Sequence, residues 1–549
     1  MVEPSYVQGP SHPPLLERTI GAALRDTATR FPGNLAIASR FENRRLTFAE
    51  FDAAVDAAAR ALLALGASHG DRLAIWSPNR TEWLVIHHAA VRIGLIVVTV
   101  NPAFRADEMA FVVADSQARF LFAAPAFRSY SYADAIASRR GRLEDLEHVV
   151  IFAPDAAPWM AWPDFLAMNG GVDADRLAAA EAGVDVHNAC NIQYTSGTTG
   201  KPKGALLTHH NLLNNGHFVG ERQRLSEADV ICLPVPFFHC FGIGLGALAA
   251  VTHASALVLP SESFDPVASL EAIAQEECTA FYGVPMMYMA LLDHPAFTEH
   301  DLSSLRTGCM GGAPCPMETM RRAVERMHMD EVTVVYGMTE TSPISFQTLP
   351  DDSNEVRVST VGSIHPHLEC RIVDPASGET VPRGTSGELC IRGYSVMRGY
   401  WRNEEATRQA IDADGYMHSG DLGVMRDDAN VQIVGRIKDT IIRGGENVYP
   451  REVEEFLLTL PGVSEAYVFG LPDDKYGEIV ACWLKPSSGA SLDAEAVRAA
   501  CHGRMATYKI PALIRVVDQF PTTASGKAQR FRMQEMELAG ELPPGGVPQ

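Results

Sequence analysis

Arg72-Leu-Ala-Ile-Trp76 and Ile96-Val-Val-Thr-Val100 are short apolar runs, and the segment from Thr81 to Ile93 between them reads as a helix. Strand, helix and strand in that order imply a layered α/β architecture with a largely parallel sheet. Working outward, Arg105 to Asp115 is the next helix. Upstream, Thr47-Phe-Ala-Glu50 has the spacing of a capping box, and Phe51, Val55, Ala58, Leu62 and Leu65 then recur at helical intervals until Gly66. Downstream, Val230-Ile-Cys-Leu-Pro, Ala256-Leu-Val-Leu-Pro and Val332-Thr-Val-Val-Tyr336 continue the alternation.

The pattern changes after about residue 356, where short strands at Arg371-Ile-Val-Asp, Gly387 to Arg392 and Val431 to Val434 are separated by Gly- and Pro-rich turns. From Arg436 a small α+β unit follows, with helices at Arg451 to Leu460 and Asp493 to Cys501 and strands at Glu465 to Phe469 and Ile479 to Leu484. The expected fold is α/β. A large N-terminal domain, 1–435, has layered α/β subdomains and a β-rich subdomain at about 357–435; a small mobile α+β domain covers 436–549. The polar segment Gly435-Arg-Ile-Lys-Asp439 is the candidate hinge.

Composition narrows the function. The 549 residues are 46% hydrophobic and 21% charged, ordinary for a globular enzyme, and the net charge of −21 argues against nucleic acid or an anionic membrane as a partner. The ten cysteines lack zinc-ligand spacing and read as reduced, mostly buried thiols. The N-terminus resembles no signal peptide, and His87, His88, Arg92 and His253 interrupt the longest apolar stretches. A cytoplasmic enzyme without a transmembrane segment is expected.

Thr195, Ser196, Gly197, Thr198, Thr199, Gly200, Lys201 and Lys203 supply hydroxyls, exposed backbone N–H groups and two cations in one loop. Such a loop suits a polyphosphate. It is not a Walker A sequence, because the glycines are too close and Pro202 follows Lys201. The lesser alternative, read alone, is a flexible surface loop.

Tyr194 to Gly204 closely resembles the signature of the adenylate-forming superfamily, which includes acyl-CoA synthetases, adenylation domains and beetle luciferases. Tyr336-Gly-Met-Thr-Glu340, His418-Ser-Gly-Asp421, Gly435-Arg-Ile-Lys-Asp439 with Gly444-Gly-Glu-Asn447, and Thr523-Ala-Ser-Gly-Lys527 follow in the family's order. Asn101-Pro-Ala-Phe104, Pro236 to Gly242 and Ile441 to Pro450 are most similar to medium-chain fatty-acyl-CoA ligases of the kind of acyl-CoA synthetase family member two.

The resemblance implies that a carboxylate attacks the α-phosphate of ATP, giving acyl-AMP and pyrophosphate, before the acyl group passes to CoA. Two anions must approach each other, so cations are needed. By resemblance, Glu340 helps hold Mg2+ and Thr339 bonds an α-phosphate oxygen; Asp421 and Arg436 take the ribose. Gly312, Ala313 and Pro314 line the adenine pocket, with Tyr336 stacked on the base beside Gly337. Lys527 is the main catalytic cation. His239 positions the substrate, and Phe238, Tyr282, Gly283, Val284 and Ser342 line the acyl pocket. Lys438 falls at the hinge, and Gly444 and Gly445 line the CoA tunnel. The pocket segments carry no evident buried cation, which favours a neutral acid, aliphatic or aromatic. Expected partners are a small carboxylic acid, ATP and CoA; a homodimer is left open. Three alternatives stand beside this reading: an aryl-acid CoA ligase, an acyl-adenylate ligase loading a carrier protein, and a non-catalytic binding protein on the same fold.

Overall fold

A computed structural model describes residues 3–195, 202–444, 446–487, 489–522 and 528–541, the side chain of Asn447 excepted. The chain separates into two compact units, one of Val7–Cys370 with Ile391–His418, the other of Met1–Tyr6, Arg371–Cys390 and Ser419–Gln549.

The larger unit holds two large sheets and a two-stranded one of Ala126–Phe127 with Tyr130–Ser131. In the first, the strand order is Met160–Ala161, His148–Ile151, Phe120–Ala123, Arg72–Trp76, Ile96–Val100, Ala189–Thr195, Lys203–Thr208 and Gly399–Tyr400. Its pairs are parallel up to Ala189–Thr195 and antiparallel beyond it. Arg72 lies opposite Ile96 and Trp76 opposite Val100, with the helix Thr81–Arg92 as the crossover. This is the parallel strand–helix–strand unit that such a sequence favours. The second sheet runs Ser363–Ile364, Ile344–Gln347, Glu331–Gly337, Thr307–Gly311, Ala280–Gly283, Val230–Cys232, Ala256–Leu259, Leu35–Ser39 and Arg44–Thr47. It is parallel in the middle and antiparallel at both edges.

The helix Phe48–Ala64 begins on the capping box read from the sequence: Glu50 N–H donates to Thr47 Oγ1 at 3.2 Å, and Thr47 N–H donates to Glu50 Oε2 at 2.8 Å. It buries Phe48, Phe51, Val55, Ala58 and Leu62 and stops before Gly66, whose φ of 83° takes the chain out of the helix. Arg92 ends the neighbouring helix with a fully buried side chain, held by the Asp52 and Asp56 carboxylates. A buried guanidinium is tolerable only with such partners.

One element went unread in the sequence. Phe241-Gly-Ile-Gly-Leu-Gly-Ala-Leu248 forms a π-helix. Two of its three glycines are required by close packing, since a Cβ at Gly242 would sit 2.2 Å from the Pro236 carbonyl oxygen and one at Gly246 would sit 2.3 Å from Leu233 Cδ2. Helical windings of this kind are rare and tend to occur at functional sites.

In the smaller unit, Met417–Met425, from Ser419 onward, pairs antiparallel with Val431–Arg436. A second sheet orders Glu446–Val448, Ile441–Arg443, Gly477–Pro486 and Val463–Asp473, with Leu513–Val516 parallel to Gly477–Pro486. Helices Pro450–Leu458, Ala494–Cys501 and Arg530–Ala539 accompany it, around a core including Val448, Val453, Leu457, Val468, Val480 and Cys482. Glu454, almost fully buried, accepts the Val468 N–H at 2.7 Å and pairs with Arg530 at 2.8 Å. Burial raises its pKa, and the Arg530 charge works against that rise.

All ten cysteines are free and buried. Among the described residues no helix is long and apolar enough to cross a membrane.

Candidate active site

The strands Ala189–Thr195 and Lys203–Thr208 form an antiparallel hairpin whose last pair is Thr195 opposite Lys203. This register brings both ends of the Gly-rich loop to one point. Ser196, Gly197, Thr198, Thr199, Gly200 and Lys201 lie outside the described residues. The hairpin is anchored from outside: Tyr194 donates its hydroxyl to Asp115 Oδ2 at 2.6 Å, and Trp401 N–H donates to the Gly204 carbonyl at 2.7 Å.

Glu340 stands beside this point. Thr339–Thr341 is a short 3-10 turn after the strand Glu331–Gly337, and Thr339 and Glu340 are both buried. Thr195 Oγ1 donates to Glu340 Oε1 at 3.3 Å, and Tyr400 donates its hydroxyl to the same oxygen at 2.9 Å. Burial first, and then the Glu340 carboxylate, push the Tyr400 hydroxyl upward, so it stays a donor. Lys203 Nζ lies 5.1 Å from the centre of the Tyr400 ring, within cation–π reach. Both hydrogen bonds end on Oε1, and among the described residues none reaches Oε2.

Thr339 Oγ1 is 3.7 Å from the Cys240 sulfur, which is also 3.7 Å from His239 Nδ1. Burial pushes the Cys240 thiol up to about 12, with the Thr339 contact opposing it, so the group is neither a thiolate nor a nucleophile near neutral pH. The Phe241 N–H donates to His239 Nδ1 at 3.2 Å, which leaves Nε2 to carry the proton of the neutral ring. The His239 side chain is exposed, Phe238 half-buried and Phe237 buried against Trp83.

Two buried asparagines hold these segments by their backbones. Asn79 donates to the Val235 carbonyl at 2.9 Å and accepts the Phe237 N–H at 2.8 Å. Asn215 donates to the Ile344 carbonyl at 2.7 Å and accepts the Ile344 N–H at 3.0 Å. Each side-chain amide thus copies a strand partner for a chain segment that leaves the sheet. Gly337 is required by contact: a Cβ there would lie 1.7 Å from the Pro343 carbonyl oxygen.

The residues read as the acyl pocket are spread over the same region. Tyr282 is fully buried with its hydroxyl on Gln223, Gly283 is buried, and Val284 is half-buried ahead of the helix Pro285–Leu292. Ser342 has a φ of 73° and donates to the Ser395 carbonyl at 2.7 Å. Gly312, Ala313 and Pro314 are exposed after the strand Thr307–Gly311, while Tyr336 and Phe346 are cross-strand partners with ring centres 6.3 Å apart.

In the smaller unit, Asp421 lies directly opposite Arg436 and accepts from its Nε at 2.7 Å. Lys438 is exposed in the 3-10 turn Ile437–Asp439. Gly444 has a φ of 63° and donates its N–H to the Tyr476 carbonyl at 2.7 Å. Gly445 and Lys527 lie outside the described residues. Tyr400, Asn79 and Asn215 were not found from the sequence. Only contact through the fold marks them, although Gly-Tyr before Trp401 was visible as an aromatic pair after a glycine.

A hairpin closing a Gly-rich segment beside a buried Thr-Glu turn fits an adenylate-forming fold, and the similarity to known proteins agrees. The description "AMP-binding enzyme" matches residues 24–401, and "AMP-binding enzyme C-terminal domain" matches residues 452–527. The chain belongs to the family of AMP-binding enzymes. It is 39% identical over 546 residues to the mitochondrial medium-chain acyl-CoA ligase ACSF2 of Danio rerio, covering 97% of this chain and 90% of that one. Among solved structures it resembles ATP-bound MatB from Rhodopseudomonas palustris (TM-score 0.82, 29% identity, 95% of this chain and 99% of that one). It also resembles the anthranilate CoA ligase AuaEII in complex with anthranoyl-AMP (TM-score 0.85, 26% identity, 96% and 99%).

Proposed function

We propose that the acid activated by this ATP-dependent, AMP-forming acyl-CoA ligase is a neutral carboxylic acid, and that medium-chain fatty acids are its main substrates. The observation carrying this is the lining: Phe238, Tyr282, Gly283, Val284, Thr341, Ser342 and Pro343 bring no Lys or Arg to the segments read as the pocket. A second carboxylate on the substrate would be desolvated there without a counter-charge. The medium-chain ligase at 39% identity supports the chain length. An aryl acid is the second reading, favoured by the likeness to an anthranilate CoA ligase.

Roles follow from chemistry. The loop between Thr195 and Lys203 holds the β- and γ-phosphates that leave as pyrophosphate. Thr339 donates to an α-phosphate oxygen, and the exposed edge Gly312–Pro314 with Tyr336 receives the adenine. Asp421 accepts from the ribose hydroxyls, and Arg436, 2.7 Å from its carboxylate, adds a donor fork to the same sugar. The Glu340 carboxylate, held through Oε1 and with no bond to Oε2 among the described residues, fits a hard divalent cation, so it is the residue that would hold Mg2+. Bound there, Mg2+ would neutralise phosphate charge. Lys527 bridges the substrate carboxylate and the α-phosphate as negative charge builds. His239, held through Nδ1, positions the acid. Gly444 and Gly445 line the way for the pantetheine arm, and Lys438 is the hinge about which the C-terminal domain, 436–549, turns on the N-terminal domain, 1–435, between half-reactions. The buried free thiols support a reducing, cytoplasmic setting.

Carboxylate-dependent ATP–pyrophosphate exchange with short, medium, long and aromatic acids, assayed with and without CoA, tests the reading. Exchange without CoA, strongest with medium-chain acids, and acyl-CoA formation on adding CoA are expected. Strongest exchange with a dicarboxylate would overturn the pocket assignment, and acyl-adenylate formation with no transfer to CoA would favour the carrier-protein alternative.

A further inference from the structure

The helix His209–Arg222 carries His217 and Glu221 four positions apart and therefore on one face. His253 ends the helix Ala249–His253, which packs against it. One ligand-type atom from each of the three lies within 4.8 Å of the others. Gly220 permits this approach, because a Cβ there would sit 2.4 Å from His253 Cε1 and 2.5 Å from Nδ1.

The hydrogen bonds around His253 set its ring. Nδ1 is 3.1 Å from the Ala249 carbonyl oxygen. Thr252 Oγ1, 3.0 Å from the same nitrogen, donates its own proton to the Leu248 carbonyl at 3.0 Å. The other nitrogen, Nε2, faces Glu221 Oε1 at 3.2 Å. Tetrahedral zinc with N and O ligands at about 2.0–2.2 Å separates neighbouring ligand atoms by about 3.3 Å, close to this spacing. A ring N–H donated to a backbone carbonyl is also the usual support of a metal-bound histidine. His217 stacks on His253 with ring centres 5.4 Å apart, and its buried Nδ1 has no hydrogen-bond partner among the described residues.

We propose that His217, Glu221 and His253 form a site for a zinc-class divalent cation, separate from the Mg2+ proposed at Glu340 and independent of the acid activated. The ligand set is two imidazoles and one carboxylate, with water completing the coordination. Its effect is structural: it clips the C-terminal half of the helix that leaves the strand Lys203–Thr208 to the helix that follows the π-helix Phe241–Leu248.

The test uses the full-length chain, free of nucleotide and Mg2+, with Zn2+ alone titrated against a chromophoric chelator. One zinc per chain is expected, with affinity weakened about tenfold or more by Glu221→Gln and by His217→Gln. His12→Gln, an exposed histidine elsewhere, should leave it unchanged. Zinc should raise the thermal midpoint of the wild type and not of the two ligand variants. Glu221 is exposed, so Glu221→Gln keeps the test decisive even if His217→Gln disturbs packing. Absence of stoichiometric zinc binding would overturn the proposal and leave a protonated His253 paired with Glu221. Binding that both ligand variants retain at full strength would overturn it as well.

Discussion

Tyr400 donates its hydroxyl to the Glu340 carboxylate at 2.9 Å, across 60 positions of sequence, and on the same carboxylate oxygen it meets the hydroxyl of Thr195. The loop hairpin, the Thr-Glu turn and the edge strand Gly399–Tyr400 therefore converge on a single acceptor. Tyr400→Phe removes one hydrogen bond to an ionised group, worth about 1.5–3 kcal/mol. A fall of about tenfold or more in kcat/KM for ATP is expected, together with a lower unfolding midpoint. Steady-state exchange kinetics and urea denaturation check both halves.

Lys527→Ala should block formation of the acyl-adenylate and largely preserve thioester formation from supplied acyl-adenylate and CoA. Measuring the two half-reactions separately decides the matter; equal loss of both would end the division of labour assigned to this lysine.

Gly337→Ala places a methyl carbon on the Pro343 carbonyl, 1.7 Å away, so the turn carrying Thr339 and Glu340 must shift. Loss of most exchange activity is expected, together with a lower denaturation midpoint. An active, fully stable alanine variant would contradict the packing described for this turn.

Asn79→Ala strands the Val235 carbonyl and the Phe237 N–H in a buried site. Each unsatisfied group costs about 1–3 kcal/mol. A destabilisation of about 3 kcal/mol is expected by urea titration, and kcat should fall further because the segment holding His239 loses its tether.

Acid should unfold the larger unit through its buried histidines. Burial lowers His88 to about 4 and His209 to about 3 from an ordinary 6.5. His209 Nδ1 also accepts the Ile20 N–H at 3.2 Å, a bond that only the neutral ring makes. The unfolded chain therefore binds protons that the folded one refuses. Stability is fully present above the ordinary value of 6.5 and is lost progressively as pH falls from there toward 4. Urea midpoints across that range should fall more steeply in the wild type than in His88→Gln.

The layered architecture was legible because strand and helix periods are local properties: the strands Arg72–Trp76 and Ile96–Val100 have the ends read from the sequence. Helix ends were legible where a side chain marks them, as Thr47 and Glu50 do. The winding of Phe241–Leu248 was not, since its glycines answer to Pro236 and Leu233 in space and not to a repeat. In the site, motif residues such as Thr195 and Glu340 could be proposed from the sequence, but their meeting could not. Tyr400, Asn79 and Asn215 were invisible for the same reason: each acts on a partner far along the chain, and spacing carries no record of it.

The pairing of Thr195 with Lys203 at the open end of a hairpin has a further consequence. Cα atoms of such a pair stand about 4.5–5.5 Å apart, so the sheet itself fixes the distance the intervening loop must bridge. The entropy of bringing the loop's ends together is met when the domain folds and does not recur at each catalytic cycle. If the segment grips phosphate as proposed, substitutions between the two anchors would alter nucleotide affinity without touching the fold, making it the natural place for related chains to tune turnover against tightness.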